Sequence, residues 1–163
     1  MLPDLLAQGL EVIFCGTAAS RKSAMSGHYY AGPGNRFWPL LYETRLTARL
    51  FNPSEDHSLP ALGLGLTDLA KDVSGMDRDI PSTAYAPARL VALIAETRPK
   101  RLAFTSLTAA KIALGARHPA GRAISDAFPN LPIWVLPSPS GAARATFSAA
   151  PWHDLAAAIR GEA

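Results

Sequence analysis

A chain of 163 residues, 48% hydrophobic and only 18% charged, has room for one well-buried domain and is not a disordered polyelectrolyte. Its net charge of +3 admits an anionic partner without requiring one, and a single cysteine, Cys15, excludes an internal disulfide and a cysteine-rich metal site. No apolar run approaches the length of a membrane span and no signal-type core is read at the start, so the expectation is a soluble, cytoplasmic protein with one domain over residues 1–163.

Met1 to Gly9 reads as a helical turn leading into a first strand, Val12 to Cys15, apolar enough to be buried on both faces. The strand breaks at Gly16 into Thr17, Ala18, Ala19 and Ser20, and a long loop follows with Arg21, Lys22, Ser23, His28, Tyr29 and Tyr30. Gly32-Pro33-Gly34 closes that loop, and Asn35 is placed to cap an amphipathic helix reaching Thr44. Leu46 to Glu55 continues as helix or turn, Leu59 to Leu64 as a short helix, and Gly65 to Leu69 as a brief segment. The polar stretch from Ala70 to Thr83, with Asp68, Lys71, Asp72, Asp77, Arg78 and Asp79 clustered in and beside it, reads most simply as a solvated loop.

Pro87 to Thr97 is a helix with proline in its first turn, and Arg101 to Thr105 a second buried strand. Ser106 caps a helix from Leu107 to Leu114 that Gly115 ends. Arg117 to Pro129 is loop-like. Pro132 to Leu136 is a strong strand that runs into Pro137-Ser138-Pro139-Ser140-Gly141-Ala142-Ala143-Arg144, and a helix from Trp152 to Arg160 ends the chain. Strands alternating with helices imply an α/β fold: three α/β/α layers around a short, mainly parallel sheet.

Such a sheet opens its first and last strand-end loops on one edge, where α/β proteins hold their ligands. The first loop offers backbone N–H groups, tyrosines and Asn35-Arg36; the second offers Ser138, Ser140, Gly141 and Arg144. A planar, partly anionic ligand suits them, and a nucleobase lifted from a duplex has those features. Each part alone has a bland reading. Adjacent tyrosines anchor loops, Pro-Ser-Pro-Ser-Gly is a generic turn, His28 lacks a metal-ligand partner at helical spacing, and no dinucleotide or phosphate-loop fingerprint is present.

The combination goes further. FCG followed by a long loop, an aromatic and NRFW, then GLTDL, then WVLPSPSGAAR, resembles the mismatch-specific uracil/thymine DNA glycosylases of the uracil-DNA glycosylase superfamily, over Val12 to about Trp152. GTAAS, with Tyr-Tyr ahead of the helix, is also similar to the first motif of the related hypoxanthine-type branch. The resemblance implies a monomer that acts on double-stranded DNA carrying a damaged or mismatched base and needs no metal or cofactor. It implies a base pocket of Gly16, Thr17, Ser23, Tyr30, Asn35 and Ser138, with Tyr30 stacking on the flipped base and Asn35 bracing the loop. Ser140 would hold a DNA phosphate, and Gly141, Ala142, Ala143 and Arg144 would fill the vacated space.

One position departs from the pattern. The family's first motif supplies an asparagine that positions the hydrolytic water, and this chain has Ala18 there. A methyl group cannot orient water, and losing such a group commonly lowers the rate by on the order of 100-fold. Asp68 or Asp72 is the expected replacement. Slow catalysis without one, a lesion-binding protein that does not cleave, and a binder of free nucleotides are the alternatives.

Overall fold

The computed structural model describes residues 2–162, apart from the side chain of Thr146. The apolar run beginning at Val12 becomes the strand β1 (Val12–Ala18), which lies inside a five-stranded sheet. β2 (Leu64–Ala70) and β3 (Leu102–Phe104) flank β1, both parallel to it. β5 (Ile133–Val135) continues the parallel set beyond β3, and β4 (Gly121–Ala123) closes the far edge antiparallel to β5. The order is β2-β1-β3-β5-β4.

Among the described residues the α-helices are α1 (Arg21–Ser26), α2 (Phe37–Glu43), α3 (Pro87–Thr97), α4 (Leu107–Leu114) and α5 (Ala150–Ile159), and α2 to α5 pack on the sheet. Alternate strand residues face opposite layers. Val12, Phe14, Leu66, Ala103 and Trp134 pack with Phe37 and Leu41 of α2 and with Trp152 and Leu155 of α5. Ile13, Cys15, Leu102, Phe104 and Val135 pack with Leu90 of α3 and with Ala109 and Ala110 of α4. Each fully buried large side chain contributes about 1.5–3 kcal/mol, so two such clusters hold both layers firmly on the sheet. The expected three-layer α/β fold is the observed one.

Several elements differ from the sequence reading. Met1 lies outside the described residues, and the segment after it is extended rather than helical. Leu5 exchanges backbone hydrogen bonds with Leu66, each 2.9 Å long, so the N-terminal segment covers the outer edge of β2. Residues 64–70 form a full strand, buried throughout. Gly65 permits it: a Cβ there would lie 2.6 Å from Leu10 Cδ1. The Arg117 to Pro129 stretch contains β4, and the loop after β1 contains α1, capped by the Ser20 hydroxyl, which accepts from Ser23 N–H at 3.1 Å. Leu46 to Glu55 runs through bends into a two-turn 3-10 helix, Pro53–Ser58, whereas the short helix expected within Leu59 to Leu64 is present as a 3-10 turn, Pro60–Leu62. Asn35 sits one residue ahead of the N-cap Arg36, yet its Oδ1 still accepts the Phe37 N–H at 2.9 Å.

Candidate active site

The carboxyl ends of β1, β2, β3 and β5 converge on one edge, and a cavity of about 800 Å³ opens there. Gly16, Thr17 and Ala18 from β1 line it, with Asp68 from β2, Thr105 beyond β3 and Ser138 beyond β5. Ser23, Tyr30 and Asn35 enter from the first loop, and Ser140, Ala142 and Ala143 from the last. The two loops therefore meet over one cavity, as their places in the sheet require.

Gly16 sets the floor. It pairs with Asp68 in the β1–β2 register. A Cβ on Gly16 would lie 2.9 Å from Asp68 Oδ1, 3.3 Å from Thr105 Oγ1 and 3.4 Å from the Tyr30 hydroxyl. Only the missing side chain lets these three groups gather over the strand.

Tyr30 is fixed from two sides. Its hydroxyl is 2.9 Å from Thr105 Oγ1, and its ring stacks on Phe37 with centroids 4.0 Å apart. Its φ of 53° is an unusual conformation for a tyrosine, held by the surrounding contacts. Burial, followed by the Asp68 charge, pushes its phenol well above the ordinary range, so the hydroxyl stays protonated. Tyr29, which also borders the cavity, anchors the loop: its hydroxyl donates to Pro3 O at 2.8 Å, and its N–H donates to Asp56 Oδ2 at 3.0 Å. Ser23 is also structural in its contacts, accepting the Ala31 N–H at 3.0 Å.

The two loops are locked together. Arg36 N–H donates to Pro139 O at 2.8 Å, and the Arg36 guanidinium lies 4.1 Å from the Phe147 ring centroid. A Cβ on Gly141 would lie 3.5 Å from the carbonyl oxygens of both Pro33 and Gly34, so the backbones approach closely there. Ser138 Oγ accepts the Ser140 N–H, and Ser140 Oγ accepts the Ala142 N–H, each at 3.2 Å. These bonds use hydroxyl lone pairs and leave the Ser140 O–H as a donor toward the open side. Arg144 is exposed and does not line the cavity; its Nη2 would lie 3.6 Å from a Cβ on Gly34.

The acidic cluster divides. Asp68, read as part of a solvated loop, is only 5% exposed at the cavity floor. Burial is the largest influence on its carboxyl and raises it to about 6, against attraction from Lys71 and Arg89. Lys71 Nζ is 3.7 Å from Asp68 Oδ2. Asp72 is exposed and borders an adjoining depression of about 50 Å³, which shares Leu2, Ala19 and Asp68 with the cavity. Of the two carboxylates, Asp68 lines the cavity and Asp72 does not. Asp77 accepts from Thr17 Oγ1 at 2.7 Å, which draws the 75–79 segment over the cavity beside Arg78. Thr105, Asp77 and Arg78 were not expected in the site. Thr105 had a signal, because Ser106 caps the next helix and so places Thr105 just past the carboxyl end of β3.

A family model described as the uracil DNA glycosylase superfamily matches residues 3–158, nearly the whole chain. The chain belongs to this superfamily. A solution NMR structure from Methanosarcina acetivorans, of a protein provisionally named a uracil DNA glycosylase, has a similar fold. The likeness covers 98% of this chain and 95% of that one, with a TM-score of 0.66 and 21% sequence identity. In this uracil DNA glycosylase superfamily member, Ala18 lines the cavity with a methyl group, and Asp68 is the carboxylate at its floor. Among the described residues, no helix is long and apolar enough to cross a membrane.

Proposed function

We propose that the protein is a monofunctional DNA glycosylase that flips uracil, or a related deaminated or damaged base, out of a duplex and hydrolyses its N-glycosidic bond. G·U mismatches are the preferred substrate, and the reaction begins base excision repair in the cytoplasm. The protein acts as a monomer. The observation that carries this reading is the buried Asp68 carboxyl, beside Gly16 and the pinned Tyr30, on the floor of a cavity that Ser140 also lines.

The extruded base stacks on the face of Tyr30 and meets the backbone around Gly16 to Ser20. The ionised Asp68 holds a water against the sugar and offsets the positive charge that develops there. The water oxygen bonds to the anomeric carbon as the carbon–nitrogen bond breaks. The departing base takes the bonding electron pair, and Asp68 receives a proton from the water. With a carboxyl titrating near 6, Asp68 is ionised at neutral pH. Asn35 Oδ1 is committed to Phe37 N–H, so its amide N–H₂ is the donor left for the base. Ser140 holds a phosphate, and Arg144 fills the gap opposite the orphaned partner base.

Ala18 favours a second reading, in which the protein retains lesion-bearing DNA without cleaving it. The test is incubation of the purified protein with a G·U duplex, followed by alkaline strand cleavage. The expected result is an abasic site with the native chain and none with Asp68→Ala. Retention in a gel shift without cleavage by the native chain supports the binding protein, and unchanged cleavage by Asp68→Ala removes Asp68 from the mechanism.

A further inference from the structure

Behind Asp68 lies a polar group that no part of the site accounts for. It is built from the N-terminal segment, the end of β2 and the start of α3. Lys71 Nζ lies 2.9 Å from Asp4 Oδ1, 2.8 Å from the Tyr29 hydroxyl and 3.0 Å from Leu2 O. Two of the ammonium's protons go to Leu2 O and the Tyr29 hydroxyl, and its shortest ion pair is with Asp4. Asp68, at 3.7 Å, receives a longer ion pair from the same ammonium.

The second nearby cation is committed as well. Arg89 Nη1 donates to Asp4 Oδ2 at 2.7 Å, and Arg89 Nη2 donates to Thr67 Oγ1 at 3.0 Å and to the backbone oxygen of Asp68 at 2.7 Å. Thr67 Oγ1 donates in turn to Asp4 Oδ1 at 2.6 Å. One carboxylate, Asp4, therefore tethers both cations that Asp68 would otherwise recruit. The remaining titratable groups facing Asp68 are the Cys15 thiol and the Tyr29 and Tyr30 phenols, all kept neutral by burial first and by the Asp68 charge second.

We infer that Asp4 is a positioning residue for the active site: by holding Lys71 and Arg89 it keeps the Lys71–Asp68 ion pair long and so governs when Asp68 is ionised. Asp4 itself is stably charged. Burial opposes its charge, but hydrogen bonds from Arg89, Thr67 and Lys71 outweigh that and hold its carboxyl below the ordinary range. A closer cation would grip Asp68 more tightly and leave less of it for water. The arrangement keeps the charge balanced while only a long contact from Lys71 reaches Asp68 Oδ2.

This inference rests on Asp68 as the reacting carboxylate only for its effect on rate, so two measurements separate the ideas. In protein carrying carbon-13 aspartate, the Asp68 carboxyl resonance, assigned by its loss in Asp68→Asn, is followed by NMR against pH in the native chain, Asp4→Asn and Lys71→Gln. Asp4→Asn removes a neighbouring negative charge and frees Lys71, so the Asp68 midpoint falls by about one unit or more. Lys71→Gln removes the attraction, so the midpoint rises. Opposite shifts are the signature, because a general loosening of the fold would move both variants the same way. An unmoved midpoint in Asp4→Asn, or equal shifts in both variants, overturns the inference. Should Asp4→Asn fail to fold, the sign of the Lys71→Gln shift decides. Single-turnover cleavage of a G·U duplex against pH is the second measurement, and its acid limb moves with the carboxyl in each variant. A carboxyl that moves while the limb stays fixed keeps the Asp4 assignment and removes Asp68 from the chemistry.

Discussion

Gly16 and Asp68 stand opposite each other across β1 and β2, and the side chain that Gly16 lacks would sit 2.9 Å from the Asp68 carboxylate. The absent methyl and the buried charge occupy the same space. Gly16→Ala therefore displaces Asp68, or the Tyr30–Thr105 pair beside it. Misplacing a reacting group by about 1 Å can lower a rate on the order of 100-fold, and that is the expected fall in single-turnover cleavage. Circular dichroism should show the fold retained.

Asp68 is held at the expense of stability. Its folded value of about 6 lies above the ordinary 3.8, so between those pH values the folded chain keeps a proton that the unfolded chain has released. Stability then falls as pH rises through that window, by about 3 kcal/mol in all when about 1.4 kcal/mol accompanies each pH unit. The full stability is present below the ordinary carboxyl value and is lost above the folded one. Asp68→Asn should raise the melting temperature at pH 7 while abolishing cleavage, and should give little gain at pH 3.5. Thermal denaturation at both pH values checks this. A variant no more stable at pH 7 than the native chain would contradict it.

Tyr30 separates two contributions. Tyr30→Phe keeps the ring on Phe37 and loses only the bond to Thr105, which costs about 1 kcal/mol of stability and leaves affinity for a uracil duplex nearly unchanged. Tyr30→Ala removes the stacking face as well. Base–aromatic stacking is worth about 1–3 kcal/mol, so affinity should fall by about 5-fold to 100-fold. Titration of both variants with a fluorescent duplex distinguishes them.

Arg144 is exposed beside Gly34. A plug matters only where a partner base is left behind, so Arg144→Ala should slow cleavage of uracil in a duplex more than in a single strand. A difference of about 10-fold or more between the two substrates is expected, since one lost charged hydrogen bond is worth about 1.5–3 kcal/mol. Equal losses on both substrates would make Arg144 a phosphate contact instead.

Much of this frame was legible because the elements that carry it are strongly patterned. Val12 to Cys15 and Ile133 to Val135 are buried on both faces and read as apolar runs, while α3 and α4 announce their ends with Pro87, Ser106 and Gly115. β2 was not legible as a strand, because Gly65, Thr67 and Asp68 break its apolar pattern. Each has a tertiary reason: Gly65 makes room for Leu10, Thr67 bonds to Asp4, and Asp68 faces the cavity. The burial of Asp68 was hidden for a related reason. The groups that surround it, Asp4, Tyr30, Arg89 and Thr105, come from distant parts of the chain, and no local window contains them. β4, three residues with no apolar signature, owes its existence to pairing with β5.

The Arg36–Pro139 backbone bond joins two loops about a hundred residues apart, and the Leu5–Leu66 pair seals the opposite side of the sheet. Contacts across such separations form only after the intervening chain has closed, which slows folding and places them late. During refolding, helical signal should therefore return before the cavity exists. Neither half of the molecule made alone can carry a partial version of the site. Its walls come from both.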